Sequence, residues 1–398
     1  VRSAAEHLAQ VLASVTPPSP RLVGLADALD AVLAVDVVAA GDLPPFDNSA
    51  MDGYGLRASD VDAASDEAPV RLSVAGESAA GHPFSDAVGS GQAVRIMTGA
   101  PVPSGVDAVV PQERVSVVDG GVVVSAPAAL GAHIRRRGED AAAGAVVVAA
   151  GVRLRPRHLA AIAAAGVGSV VVMPAPRVAF LATGDELAAP GASLGPGQIW
   201  ESNAVYLAGA LRALGASPVD LGTVGDSPAA VLSAVTDAAR AGADLVVTTG
   251  GASVGDHDPV KAGLAPAGVS FLTVAIQPGK PQGLGRVGGV PVICLPGNPV
   301  AVAVCTEVFV APAVRAMRGV AEPPWEPMRA LEAWRCPPGR EQVMPVVISA
   351  EGVRPATSGG SGSHLAARLA AADGLARVRA DVDAVAAGDI VAVRRFTA

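Results

Sequence analysis

The sequence predicts a multidomain α/β protein, and three observations carry that prediction. After residue 177 the 398-residue chain alternates short apolar runs with helical patterns, the grammar of a parallel sheet covered on both faces by helices. Between 70 and 127 the pattern is strand-like, and no helical period interrupts it. From residue 320 on, beyond Gly319-Val320 and the Pro323-Pro324 pair, the chain again reads as a small strand-rich domain.

Taken in order, the first element is a helix. Ser3 and Glu6 form a capping-box pattern, and Leu8, Val11, Leu12 and Val15 share one helical face. Pro17, Pro18 and Pro20 end it. The spacing of Leu25, Leu29 and Leu33 predicts a second helix. An irregular run follows over 42–54. Residues 115–118 and 122–125 flank Asp119-Gly120-Gly121, a hairpin signal. Arg135-Arg136-Arg137-Gly138-Glu139-Asp140 forms a charged loop, a solvated run or a site for a polyanion, and a helical pattern returns near Pro156. Strands are expected at 178–183, 218–224, 244–250 and 290–295. Helices are expected near 203–214, from Ser227 (N-cap) and Pro228 (N1) to about 240, and from Pro299 to about 317.

Composition excludes several classes. The chain is 51% apolar but only 3% aromatic and 17% charged, so its core is built of Ala, Val and Leu. With 46 glycines and 33 prolines it is loop-rich without reaching low-complexity disorder. A net charge of −8 argues against a nucleic-acid binder. Cys294, Cys305 and Cys336 are odd in number and far apart, which disfavours a disulfide framework and a structural zinc site and points to a reducing, cytoplasmic setting. No signal peptide is expected. The uncharged stretch 159–176 is broken by Gly166, Gly168, Pro174 and Pro176, so it reads as helix, turn and strand and no membrane span is expected.

In open α/β sheets ligands bind beyond the carboxyl ends of the strands, and four segments fall there. Thr183-Gly184-Asp185-Glu186 places two acids after a buried strand, suited to a metal or a polarised hydroxyl, or to an ordinary turn. The loop 248–258 combines Gly250, Gly251, Gly255 and Ser253, which let backbone N–H groups approach an anion, with Asp256 and Asp258 as oxygens for a hard cation such as Mg²⁺; His257 within it is a candidate ligand contact. Pro296-Gly297-Asn298-Pro299 opens a helix whose N-terminus favours anions. Gln277-Pro278-Gly279-Lys280-Pro281 carries one of only two lysines, Lys261 and Lys280, and an ammonium is not interchangeable with a guanidinium at a phosphate. Ser358-Gly359-Gly360-Ser361-Gly362-Ser363-His364 either caps a helix or binds phosphate. The letters of GxGxxG over 283–288 open no helix and read as a hairpin turn rather than a dinucleotide site. No P-loop pattern occurs. Cys294 and Cys305 read as core.

These motifs together resemble the molybdopterin molybdotransferases, bacterial relatives of the gephyrin E domain. The resemblance rests on Pro44-Pro45-Phe46-Asp47-Asn48-Ser49-Ala50-Met51-Asp52-Gly53-Tyr54, Arg95-Ile96-Met97-Thr98-Gly99-Ala100, Gly138-Glu139-Asp140, Thr183-Gly184-Asp185-Glu186-Leu187, the loop 250–258, Pro278-Gly279-Lys280-Pro281, Leu295-Pro296-Gly297-Asn298-Pro299 and Gly362-Ser363-His364, in the family's order and across nearly the whole chain. It implies a discontinuous linker domain (1–42 plus 139–174), an inserted β-rich domain (43–138), a three-layer α/β/α pterin-binding domain (175–319) and a C-terminal β-barrel (320–398). It implies a homodimer with the site shared between subunits, and insertion of molybdate into adenylylated molybdopterin with release of AMP, assisted by Mg²⁺. The rival readings are a non-catalytic cofactor carrier or scaffold and a molybdopterin adenylyltransferase. By carry-over, Glu186 and Asp258 hold the metal. Asp52, Asp140, Asp226 and Lys280 join them as catalytic residues. Thr98, Thr183, Gly184, Asp185, Gly250, Gly251, Ser253, Pro296, Gly297, Asn298 and Ser363 bind substrate. The adenylyltransferase and molybdoenzymes are the protein partners so implied. One departure stands out: Gln277 and Thr273 are neutral where several family members carry lysine, so charge for the anion falls to Lys280, Lys261 or nearby arginines.

Overall fold

A computed structural model describes residues 1–251, 258–357 and 366–396. The N-terminal helix Ala4–Ser14 has the expected capping box: the Ser3 hydroxyl accepts from Glu6 N at 3.2 Å, and the Glu6 carboxylate accepts from Ser3 N at 2.9 Å. Its buried face (Ala4, His7, Val11) packs into the same core as Phe180, Leu207 and Phe309. His7 is fully buried, neither ring nitrogen has a hydrogen-bond partner, and its ring meets Phe309 edge-on. That burial, with Arg2 nearby, pushes its pKa down to about 4.

The helix expected through Leu25, Leu29 and Leu33 does not form. A short 3-10 turn, Leu25–Asp27, separates strand Arg21–Gly24 from strand Val32–Leu33, and both pair with Ser169–Met173. Leucines four apart look helical, but Leu29 is half exposed while Val32 and Leu33 are buried against a strand 140 residues further along the chain. Long-range pairing overrides the local period. Residues 37–38 pair with 146–148 in the same way.

Between these two stretches lies the β-rich region. Its six-stranded sheet runs in the spatial order Ala108–Pro111, Gly53–Leu56, Gln92–Ile96, Val70–Ser78, Gly121–Val124, Val115–Val118. The last two are the expected hairpin, with its second strand starting one residue early, at Gly121. The charged loop is not a free run: Arg136 pairs with Asp47 at 2.7 Å and Arg137 with Asp42.

The α/β region consists of β1 (Arg177–Thr183), α1 (Asn203–Ala213), β2 (Ser217–Val224), α2 (Pro228–Arg240), β3 (Leu245–Thr249), α3 (Pro259–Leu264), β4 (Val269–Thr273), β5 (Pro281–Val287), β6 (Val290–Leu295) and α4 (Pro299–Cys305). The α4 helix continues through a π turn, Thr306–Val310, to Arg318. The sheet order is β2-β1-β3-β6-β5-β4. The sheet is not purely parallel, because β5 runs antiparallel to both its neighbours. The glycine-rich letters over 283–288 therefore lie mostly within β5, and only Gly288-Gly289 make the turn into β6. Two cores flank the sheet, one around Phe180 and Phe309 and one around Leu181 and Val246. Cys294 and Cys305 are wholly buried, which pushes both thiols up to about 12. The helix Pro299–Arg318 is long and apolar enough to cross a membrane by length and composition, but 89% of its apolar window is buried in the protein.

After residue 320 the strands Glu326–Arg329, Glu341–Ile348, Gly374–Val378 and Ile390–Arg395 form an antiparallel sheet. Val353–Pro355 pairs with Glu341–Ile348, and a bridge from Ala330 to Val353 brings that path back to its first strand. Ile276–Gln277 adds to the sheet beside Glu341 and Gln342.

Candidate functional site

The carboxyl ends of β1, β2, β3 and β6 converge on a cleft of about 490 Å³. Thr183, Gly184, Glu186, Asp226, Thr249, Gly250, Gly251, Pro296, Gly297 and Asn298 line it, each at the end of one of those strands or within three residues beyond it. This is where a parallel sheet leaves loop backbone exposed, and it is where the sequence locates the chemistry.

Local conformation explains the glycines. Gly184 has φ +144°, and a Cβ there would run into the Glu186 carboxylate, which folds back over it. Gly250 has φ +82°, and a Cβ would lie 2.6 Å from the Thr183 carbonyl oxygen. Only glycine accepts these angles and contacts. The next loop also comes close, since a Cβ on Gly297 would sit 3.3 Å from the Gly250 Cα. The result is a shallow floor of backbone on which a bulky anion can rest.

Cross-links hold the loops together. The Asp226 N–H donates to Asp185 Oδ1 at 3.2 Å, joining the loops after β1 and β2. The Asn203 amide donates to the Gly297 carbonyl at 2.8 Å, joining the start of α1 to the loop before α4. Glu201 caps α1, accepting from Asn203 N at 2.7 Å and Ala204 N at 2.9 Å. α1 and α4 both begin at the cleft, and α4 opens with proline at its first position. Their N-termini bring positive dipole ends to the site.

The predicted residues divide into four groups. Thr183, Gly184, Glu186, Asp226, Gly250, Gly251, Pro296, Gly297 and Asn298 meet in the cleft. Asp185 lies just behind it, spent on the Asp226 N–H. Asp258 is buried at the start of α3, where one carboxylate oxygen accepts from Val260 N (3.1 Å) and Lys261 N (3.0 Å); the adjacent Pro259 lines the cleft. Asp52, Thr98, Asp140 and Lys280 do not line it within this chain. Asp52 Oδ1 accepts from both the Thr98 N–H and its hydroxyl at 2.7 Å, and these bonds hold its carboxyl below the usual carboxylate range. The Asp140 N–H donates to the Leu43 carbonyl at 2.9 Å. Lys280 is exposed. Ser253, Asp256, His257 and Ser363 lie outside the described residues.

Sequence reasoning missed several groups. Leu187, Ile199, Trp200, Glu201, Ser202 and Asn203 also line the cleft. Residues 187–188 pair with 199–200 as a small parallel ribbon beside it. The polar Glu201-Ser202-Asn203 run before an apolar helix was the available signal. Arg340 was not findable from local pattern: it comes from beyond residue 320, and its guanidinium donates to Gln277 Oε1 at 2.8 Å.

Comparison with known proteins agrees across the chain. Residues 2–166 match the MoeA N-terminal region (domain I and II), 179–316 a probable molybdopterin binding domain, and 327–396 the MoeA C-terminal region (domain IV). A molybdopterin molybdenumtransferase 2 of Mycobacterium tuberculosis is 42% identical over 401 residues, covering 98% of each chain. A molybdopterin molybdenumtransferase of Haemophilus influenzae is 40% identical over 305 residues, covering 76% of this chain and 74% of its own. The crystal structure of a molybdopterin biosynthesis MoeA protein from Pyrococcus horikoshii OT3 matches with a TM-score of 0.83 at 28% identity over all of both chains.

Proposed function

The chain belongs to the MoeA family and is a molybdopterin molybdenumtransferase of molybdenum cofactor biosynthesis, and from that premise we propose that it takes adenylylated molybdopterin and molybdate and releases AMP. The observation that carries this reading is the cleft itself. Backbone-lined loops and two helix N-termini suit a pyrophosphate, and the carboxylates of Glu186 and Asp226 stand on the same rim.

Magnesium is the cation this reading implies, and the donor set fits it. Among the described residues no three His, Cys, Asp or Glu side chains cluster as a metal cage. Mg²⁺ beside phosphates commonly uses only one or two carboxylates, with phosphate oxygens and water completing its shell. Glu186 and Asp258 would hold it, and when bound it would offset the phosphate charge and stabilise the leaving group. The protein does the positioning. Gly250, Gly251, Gly297 and the turn at Asn298 receive the phosphates, with Pro296, Thr183, Gly184 and Asp185 shaping the floor. Asp226 orients or accepts a proton at the rim. Lys280, with Arg340 beside the neutral Gln277, supplies cationic charge for the oxyanion, and Ser253 and Ser363 add anion contacts.

Asp52, Thr98 and Asp140 enter the scheme through a partner subunit. In a homodimer the β-rich region of one copy would face the cleft of the other, completing a shared site. The four-domain division 1–42 plus 139–174, 43–138, 175–319 and 320–398, with a barrel at the C-terminus and a cytoplasmic setting, belongs to the same reading. So do the adenylyltransferase that would supply the substrate and the molybdoenzymes that would receive the product.

The test is AMP release from adenylylated molybdopterin with Mg²⁺, with and without molybdate. Molybdate-dependent release is the expected result. Tight binding of the pterin nucleotide with no release would instead make the protein a carrier.

A further inference from the structure

Trp200 is out of place for a tryptophan in this chain. There are only three. Trp334 is buried, and Trp325 lies beneath the guanidinium groups of Arg394 and Arg377. Trp200 is 55% exposed. It stands at the mouth of the cleft, on the ribbon formed by 187–188 and 199–200. Its position is held on two sides: the indole N–H donates to the Ala192 carbonyl at 2.8 Å, and the following Glu201 N–H donates to the Ala188 carbonyl at 2.8 Å. The same residue lines a second recess, of about 480 Å³, walled by Pro190, Gly191 and Val205. Trp200 thus borders both the backbone-floored cleft and a neighbouring, largely apolar hollow.

We infer that Trp200 is a substrate-binding residue on which a planar, fused-ring heterocycle of the ligand stacks while its phosphates occupy the cleft. An exposed indole fixed by its own N–H presents a preorganised π face. Stacking on such a face tolerates many rings, because every nucleobase-like heterocycle has a matching face. The inference rests on the reading of the cleft as a phosphate site, and it deepens that reading by assigning the recognition of the ring. The ring could be the adenine or the pterin, and the test separates them.

The experiment titrates wild type, Trp200→Ala and Trp200→Phe with AMP, with a free pterin and with inorganic pyrophosphate, following tryptophan emission and calorimetric binding in parallel. One of the two ring ligands is expected to quench wild-type emission saturably and identifies the ring. Trp200→Ala, which keeps Trp325 and Trp334, loses the quench and binds that ligand roughly 10-fold or more weakly. Trp200→Phe loses the quench but recovers most of the affinity. Pyrophosphate binds all three proteins alike. An affinity of Trp200→Ala for both ring ligands equal to that of the wild type overturns the assignment. So does a change in oligomeric state on that substitution, which would make the indole part of an interface between copies. Pyrophosphate binding with no binding of either ring refutes the stacking role alone, whereas failure of all three probes refutes the phosphate-cleft reading beneath it.

Discussion

The cleft of the α/β region and the corner of the β-rich region where Asp52 meets Thr98 both carry carboxylates, but they hold them differently. In the corner, Asp52 Oδ1 is tied to the backbone N–H and hydroxyl of Thr98. At the cleft, Asp185 and Glu201 are likewise spent on backbone N–H groups, and Asp258 gives one carboxylate oxygen to them. Glu186 and Asp226 line the open space, and no hydrogen bond to either side-chain carboxylate is found among the described residues. An acid bonded to the backbone sets geometry, whereas an acid without such a bond keeps its lone pairs for a ligand. Residue type alone does not separate these two jobs.

The largest expected effect breaks the comparison at its sharpest point. Glu186→Gln should lower molybdate-dependent AMP release by roughly 100-fold or more with an unchanged melting temperature. Retained turnover would remove Glu186 from the chemistry. The next prediction asks whether the corner and the cleft work together. Asp52→Ala and Glu186→Gln should each be inactive alone, while refolded mixtures should recover about a quarter of wild-type activity, because in the proposed homodimer half the dimers are mixed and each mixed dimer has one intact site. No recovery would confine both residues to one chain.

Asp258 tests whether one acid does both jobs. Asp258→Ala should lose the α3 cap, about 1 kcal/mol of stability, together with AMP release. Asp258→Asn should restore the melting temperature, since asparagine caps as well as aspartate, and leave release impaired. Recovery of release with the asparagine variant would leave Asp258 only its cap. The smallest effect concerns pH. The bonds from Thr98 hold the Asp52 carboxyl below its ordinary value, so its ionised form and those bonds persist as pH falls until that lowered value is passed. Thr98→Val removes the hydroxyl bond and should raise that pKa toward the ordinary one. The acid limb of the activity profile, scaled to its own plateau, should then move to higher pH; an unmoved limb would show that Asp52 does not govern it.

Legibility followed the range of the interactions involved. Helix starts were readable because their signals are local. Ser227-Pro228 and Asn298-Pro299 each place a polar residue before a proline that a helix tolerates only at its first turn, and both helices begin there. The helix expected over Leu25, Leu29 and Leu33 failed because Val32 and Leu33 pair with Ser169–Met173, a partner that no local window contains. β5 escaped as a strand for a related reason. Gly283 and Gly285 look like turn residues, but a Cβ on Gly283 would strike the Cys294 side chain and one on Gly285 the backbone at Gly268, so they allow tight packing between strands.

The sequence by itself determined the alternation of strands and helices, the glycine-bearing loops at the strand ends and the acids within them, because these depend on backbone conformation and spacing over a few residues. Tertiary structure alone decided which acids are spent on the backbone, that Arg340 reaches Gln277 from beyond residue 320, and that Trp200 stands exposed at the mouth of the cleft. Those outcomes require segments distant in sequence to meet, and the free energy of such a meeting comes from burial and pairing across the whole fold, which no short stretch of chain encodes.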